Sequence, residues 1–322
     1  MNEPLHALTH APLEWTNQLP ENFPGVRLPG GKVFTSSSDI ATICIQEYLT
    51  DEYRIRYNFI DAKKHFQFQS NGVANGLDSL MILKGSLLHD FNSDQKTKLY
   101  ENQWWLLNAP FYHVRFTPGM EEFVQKFTIW FSDQFVAKLL SMFPVIASHI
   151  SNKENNLLFP NTPGWNDLET SHFIQSILRC PYDGEWRRDY FDSRVKDLLF
   201  KFFVKISSQE EDFKDYNEED ILNVNSAAEI ILKDIRKHFL IPDLARKAAM
   251  NEYKFKRLFK KIYGLGPYDF LRQERLRKAI ELLQEGKSVK YAAIETGWRP
   301  ADLVFAYREK FGTTPSKSFR SK

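Results

Sequence analysis

The cationic side chains most able to do chemistry are gathered in one short stretch. Tyr253, Lys254, Lys256, Arg257, Lys260 and Lys261 follow Asn251, while Phe255, Leu258, Phe259 and Ile262 fall at i, i+3, i+4 and i+7. That spacing predicts a helix with an apolar stripe inward and a basic, aromatic face outward. Such a face is suited to a polyanion. Ammonium and guanidinium groups neutralise phosphates, and a guanidinium fork matches the acceptor edge of guanine. A solvated lysine face on an ordinary surface helix has the same composition, so the face alone does not decide. Metal chemistry has a weaker basis. The histidines are His6, His10, His65, His89, His113, His149, His172 and His238, none with His-x-His spacing. Cys44 and Cys180 are far apart, which gives neither a disulfide framework nor a zinc spacing. No catalytic residue, metal ligand or cofactor is expected.

The flanking elements position the basic face. Asn251 is a suitable N-cap, because its side-chain oxygen can accept from a free first-turn N–H, and Gly264 suits a left-handed C-cap. Leu244, Ala245, Ala248 and Ala249 just before it form a short helix that a second helix can approach closely. A short helix, a turn and a helix with a basic face make a helix-turn-helix. The pattern returns downstream. Ser288 caps a helix carrying Val289, Ala292, Ala293 and Thr296, closed by Gly297. A second helix from Pro300 carries Leu303, Val304, Tyr307 and Phe311, closed by Gly312. Residues 267–285 between the two units suit one long helix opened by Pro267.

The order Ala245, Asn251, Phe255, Arg257, Phe259, Gly264, Pro267, Phe270-Leu271, Arg275-Leu276, Ala279, Leu282-Leu283, Val289, Ala293, Gly297-Trp298, Tyr307, Phe311-Gly312 and Pro315 resembles the DNA-binding domain of the AraC/XylS transcription regulators. The resemblance spans some eighty residues. It implies base-reading positions at Tyr253, Lys256 and Arg257 in the first unit. Lys254, Lys260, Lys261, Arg299, Arg308, Lys310, Lys317 and Arg320 are the phosphate-contact candidates. The second unit departs from the family pattern. Its turn looks one residue short, Arg299-Pro300 stands where a polar cap usually sits, and the reading positions hold Ala301, Asp302, Val304 and Phe305. That unit is expected to read few bases by hydrogen bonds. The two units would face one side of the duplex about one helical turn apart, roughly 10 base pairs.

The rest of the chain divides by charge and periodicity. Of 322 residues, 226–322 hold 22 Lys+Arg and 11 Asp+Glu, and the remainder hold 21 and 30, so a basic module is joined to an acidic body. Residues 1–131 are read as a β-rich domain, with strands expected near 53–59, 65–69, 78–84, 103–108, 112–116 and 122–131. Arg54 and Arg56 share one face there, read as a solvated sheet face or the partner of an anionic effector. Trp104 and Trp105 fall on opposite faces. Residues 132–206 are read as helical, with a helix expected from Trp165 to Leu178. Val195, Leu198, Leu199, Phe202, Phe203 and Ile206 form a long stripe that must be buried, either on the β-domain or on a second copy. Residues 207–225 are acidic and read as a flexible linker, followed by the DNA-binding domain at 226–322.

The expected fold is therefore α+β and multidomain: a β-barrel, a helical segment and an all-α double helix-turn-helix domain. The family resemblance implies that the barrel is cupin-like and senses a small-molecule effector. It further implies that the helical segment makes a homodimer, with the stripe as the dimer candidate, and that the protein activates transcription by touching RNA polymerase. No apolar start or 18-residue apolar run is present, so a soluble, cytoplasmic protein without membrane contact is expected. The expected function is a sequence-specific regulator of double-stranded DNA. The rivals are a cupin-type enzyme, or an effector-independent interaction module, carrying a DNA-binding domain.

Overall fold

The computed structural model describes residues 6–7, 14–21, 23–64, 66–71, 76–92, 95–108, 113–118, 123–151, 157–207 and 216–319. They fall into two compact units, Met1–Ser208 and Gln209–Lys322.

The first unit is built on β1 (His6–Ala7), β2 (Lys32–Ser37), β3 (Ala41–Leu49), β4 (Tyr53–Ala62), β5 (Phe68–Asn71), β6 (Leu77–Lys84), β7 (Ser86–Asn92), β8 (Gln95–Tyr100), β9 (Gln103–Asn108), β10 (His113–Pro118), β11 (Val124–Phe131) and β12 (Leu157–Trp165). One sheet has the order β1-β5-β10-β7-β8 and the other β12-β9-β6-β11-β4-β3-β2, with antiparallel pairing in both. Alternation along the larger sheet serves two cores. Ile43, Ile45, Ile60, Leu80, Ile82, Trp105, Leu107 and Val124 face Phe66, Phe68, Leu87 and Leu99 to fill the barrel. Tyr57, Met81, Trp104, Phe127, Ile129 and Phe131 point the other way, into a core shared with the helices. The two adjacent tryptophans thus take opposite faces.

Those helices are α1 (Asp133–Leu140), α2 (Pro144–Ser151), α3 (Leu168–Leu178) and α4 (Gly184–Ser207). Three expectations are corrected here. First, a strand, β12, lies inside the stretch read as helical. It runs to Trp165 and pairs with β9, and α3 starts only at Leu168, because the Asp167 carboxylate accepts from the Thr170 N–H at 2.8 Å and caps it. Second, the α4 stripe is not a free dimer surface. Val195, Leu198, Leu199, Phe202, Phe203 and Ile206 are all at most 3% exposed within the single chain, packed on the sheet, with Phe202 stacked 4.3 Å from Trp104. Pulling such side chains away would cost about 1.5–3 kcal/mol each. Third, Arg54 and Arg56 are half-buried rather than fully solvated. Both pair with Glu47 across the sheet, at 3.7 and 2.5 Å, and Arg54 lies over the Trp130 ring.

The second unit is all helical: α5 (Glu218–Lys233), α6 (Ile241–Lys247), α7 (Glu252–Tyr263), α8 (Pro267–Gln284), α9 (Val289–Glu295), α10 (Pro300–Phe311) and α11 (Pro315–Ser318). Its first helix begins inside the stretch read as linker. Asn217 accepts from the Asp220 N–H at 2.8 Å while the Asp220 carboxylate accepts from the Asn217 N–H at 3.2 Å, a reciprocal capping box that starts α5 eight residues earlier than 226. No helix among the described residues is long and apolar enough to cross a membrane.

Candidate nucleic-acid interface

The two helix-turn-helix units repeat one geometry. In the first, Ala249 takes φ +51° after α6, the Met250 N–H donates to the Ala245 carbonyl at 2.9 Å, and Asn251 caps α7 through the Lys254 N–H at 2.8 Å. In the second, Gly297 takes φ +71° after α9, the Trp298 N–H donates to the Ala293 carbonyl at 2.9 Å, and Arg299 occupies the N-cap of α10. The turns have equal residue counts. The second is therefore not short against the first, and Arg299 stands where Asn251 does. Counting on from the caps, Ala301, Asp302, Val304 and Phe305 correspond to Tyr253, Lys254, Lys256 and Arg257. Both second helices end on a left-handed glycine, Gly264 at φ +74° and Gly312 at φ +71°.

The inward stripe is closed as its spacing requires. Phe255, Leu258 and Phe259 are fully buried, and Phe259 packs edge-on against Phe270 of α8 at 5.3 Å. Leu303, Ala306 and Tyr307 do the same for α10. One strut holds both units. Arg275 of α8 donates from Nε to the Ile235 carbonyl at 2.6 Å and from Nη2 to the carbonyls of Arg236 and Lys237 at 3.0 and 2.9 Å. Gly297 packs on the same Arg236 backbone, and Arg272 of α8 pairs with Glu309 of α10. The sequence pattern contains Arg275, but its three carbonyl partners are some forty residues away and carry no motif.

The outward residues divide into groups. Tyr253, Lys256, Arg257 and Lys260 are exposed on α7, with Tyr253 74% exposed and Lys256 3.4 Å from Glu252 one turn back. Two phosphate candidates are drawn inward instead. The Lys254 ammonium donates to Asp220 of the α5 cap at 2.7 Å, and Lys261 lies over the Tyr216 ring at 5.2 Å. The Lys254 hydrogen bond holds the Asp220 carboxyl below the usual carboxylate range. On α10, Phe305 is 68% exposed and Arg308 and Lys310 are exposed on the last turn; Lys317 is exposed on α11. Arg320 lies outside the described residues. Arg299 and Asp302 form a bidentate pair, which lowers the Asp302 pKa and raises that of Arg299. Sequence reasoning missed this pair, although its i, i+3 spacing was available.

Two matched helix-turn-helix units on one strut define a DNA-binding protein. Residues 244–321 match the model of a helix-turn-helix domain family. The virulence regulon transcriptional activator VirF of Yersinia enterocolitica is 26% identical over 261 residues, covering 78% of this chain and 92% of VirF. The HTH-type transcriptional regulator ExsA of Pseudomonas aeruginosa is 32% identical over 94 residues, covering 27% of this chain and 34% of ExsA. A crystal structure of unsaturated fatty acid bound ToxT from Vibrio cholerae aligns over 84% of this chain and 96% of its own, at 15% identity and a TM-score of 0.37. The chain is thus a DNA-binding regulator whose residues 244–321 carry a helix-turn-helix domain, and it is similar to these transcription regulators.

Proposed function

We propose that the protein is a cytoplasmic, effector-responsive activator that binds double-stranded DNA by sequence and has no enzymatic role. The observation that carries the DNA-reading part is the exposed α7 face, where Tyr253, Lys256 and Arg257 stand on a helix held by α8. Arg257 makes a bidentate contact to guanine, Tyr253 contacts a thymine methyl or a sugar, and Lys256 reads beside them. Lys260, Arg308, Lys310 and Lys317 take phosphates, joined by Arg320 from beyond the described residues. Lys254 and Lys261 serve the α5 junction and add little to phosphate binding. The similarity to a Yersinia transcriptional activator supports activation, and contact with RNA polymerase at a promoter is part of the same proposal. The protein acts as a homodimer, through a surface other than the buried α4 stripe.

Effector sensing is placed in the barrel. Lys126 is 6% exposed, its cross-strand neighbour Asn58 is 7% exposed with an Oδ1 that no hydrogen bond satisfies, and His89 is fully buried. Polar groups are costly at such depth, and a ligand that pairs with them offsets the cost. The similarity to transcription regulators supports a role other than catalysis.

The test is an in vitro selection from sheared genomic DNA with full-length protein at near-physiological salt, because low salt retains any DNA through phosphates. A sharp motif is expected, and fragments retained without any shared sequence would sink the proposal. Arg257→Ala is expected to lose about 1–3 kcal/mol of discrimination at one base position. Lys260→Ala is expected to weaken binding evenly across sequences and to lower the salt slope by about one. Competition binding on the selected site and its point variants separates the two.

A further inference from the structure

We propose that Arg299 reads a guanine in the second major-groove segment, and that Asp302 is the positioning residue that aims it. This rests on the reading of the C-terminal domain as a sequence-specific DNA binder. It reverses the expectation that the second unit is nearly blind to sequence.

Arg299 sits at the N-cap of α10, the end of a helix-turn-helix second helix that is directed at base edges. Its Nε donates to Asp302 Oδ2 at 2.7 Å and its Nη2 to Asp302 Oδ1 at 2.9 Å. The carboxylate stands on the first turn of the same helix, so the guanidinium is held in one plane against a rigid element. Yet the Arg299 side chain is 84% exposed. A lone surface arginine samples many rotamers and must surrender them on binding; a bidentate carboxylate removes much of that loss in advance.

The donors left over have the right shape. A guanidinium carries five N–H groups. Asp302 takes the Nε hydrogen and one on Nη2, which leaves Nη1 and the outer Nη2 hydrogen on the adjoining edge. That edge is the fork that meets O6 and N7 of guanine. The charge balance points the same way. The pair is neutral, so it releases few counterions and is a poor phosphate clamp, whereas its directional donors remain. Asp302 is then neither a group that repels the backbone nor a partner for cytosine.

The neighbours leave room for this contact. Ala301 keeps the approach open, and Phe305, one turn beyond Asp302 on the same face, offers an exposed ring to a thymine methyl. The two units thus read by different means. The first uses its second turn, with its own i, i+3 partner of the cap, Lys254, turned away to Asp220. The second uses its cap.

The experiment is a selection from random-sequence duplexes with full-length wild type, Arg299→Ala, Arg299→Lys and Asp302→Ala, followed by competition binding at two salt concentrations. Wild type is expected to yield two boxes about 10 base pairs apart, the second containing a fixed guanine. Arg299→Ala should erase that guanine, a loss of about tenfold to a hundredfold in preference, while the first box persists. Arg299→Lys should keep affinity for arbitrary DNA but not the full preference, since an ammonium lacks the fork. Asp302→Ala should weaken the guanine preference while raising affinity for arbitrary DNA. Thermal melts check that the variants remain folded. If Arg299→Ala lowers affinity evenly on all sequences, reduces the salt slope by about one and leaves the motif intact, Arg299 is a phosphate clamp and the proposal falls. A wild-type motif confined to the first box overturns this proposal alone. No wild-type motif at all overturns the sequence-specific reading with it.

Discussion

Gly297→Ala is expected to unfold or severely loosen the second unit while the first stays intact. Two effects add. The residue sits at φ +71°, where a side chain costs roughly 1–2 kcal/mol. A Cβ built there would also lie 2.5 Å from the Arg236 carbonyl oxygen and 2.6 Å from the Arg236 Cα. Those are backbone atoms, and Arg275 pins the same carbonyl, so neither partner can yield cheaply. Together the cost is about 3–5 kcal/mol, a large share of the roughly 5–15 kcal/mol that holds a domain together. Gly312→Ala is the control, since Gly312 shares the same φ but nothing lies within 4 Å of its Cβ position. It should cost only the conformational part. Hydrogen exchange read separately over the two units gives the measurement. Equal loss of protection in α6–α10 for both variants would refute the clash argument.

Lys126→Met is expected to stabilise the first unit by about 1–3 kcal/mol at neutral pH. Burial holds the Lys126 ammonium's pKa down to about 8 against 10.5 in the unfolded chain, opposed by the attraction of Asp78 and aided by repulsion from Arg56. The unfolded state therefore binds the proton more tightly. Stability falls as pH drops from 10.5 to 8 and stays low below that, a span worth about 3 kcal/mol by linkage. Methionine fills similar space without the charge. Asp78 is only partly buried, so losing its partner leaves it hydrated and trims the gain rather than reversing it. Urea unfolding at pH 7 and pH 10 reads this directly. Wild type should gain stability with pH, and the variant should not. A variant less stable than wild type at pH 7 would mean that the Lys126–Asp78 attraction outweighs desolvation. Should the effector pair with Lys126, the stabilised variant will have lost its response, the usual exchange of stability for function at a binding site. Buried His89 adds a second dependence. Its folded pKa lies well below 6.5 through burial and the neighbouring Lys126, so further stability is lost as pH falls below 6.5.

The helix-turn-helix units were legible because their signals are local. Caps at Asn251 and Ser288, left-handed glycines at Gly264 and Gly312 and stripes of period 3.6 need no distant partner. What could not be read depended on pairing far along the chain. Periodicity said that Phe202 and Phe203 are buried, but not that Trp104 of β9 is part of the surface that buries them. Alternation placed Arg54 and Arg56 on one face, but Glu47, which decides whether that face is wet, stands on another strand. β12 contains Pro160 and Pro163, which argue against a helix there, yet only its partner β9 makes it a strand. The α5 cap was different. Asn217 and Asp220 carry a readable capping signal, and the acidic run around them masked it.

Arg275 of α8 and Gly297 after α9 meet the same Arg236 backbone, so the second unit and the connecting helix share one anchor and the phase between the units is written into the protein. DNA must supply the matching phase. One inserted base pair turns the second box by about 34–36° and carries it around the duplex axis. The strut is not built to follow, and the duplex would have to untwist, at a cost in deformation energy, to bring the box back into phase. A promoter bound by this protein should therefore tolerate a change of letter better than a change of length. Drift in its target sites would proceed by substitution, with insertions and deletions between the boxes purged.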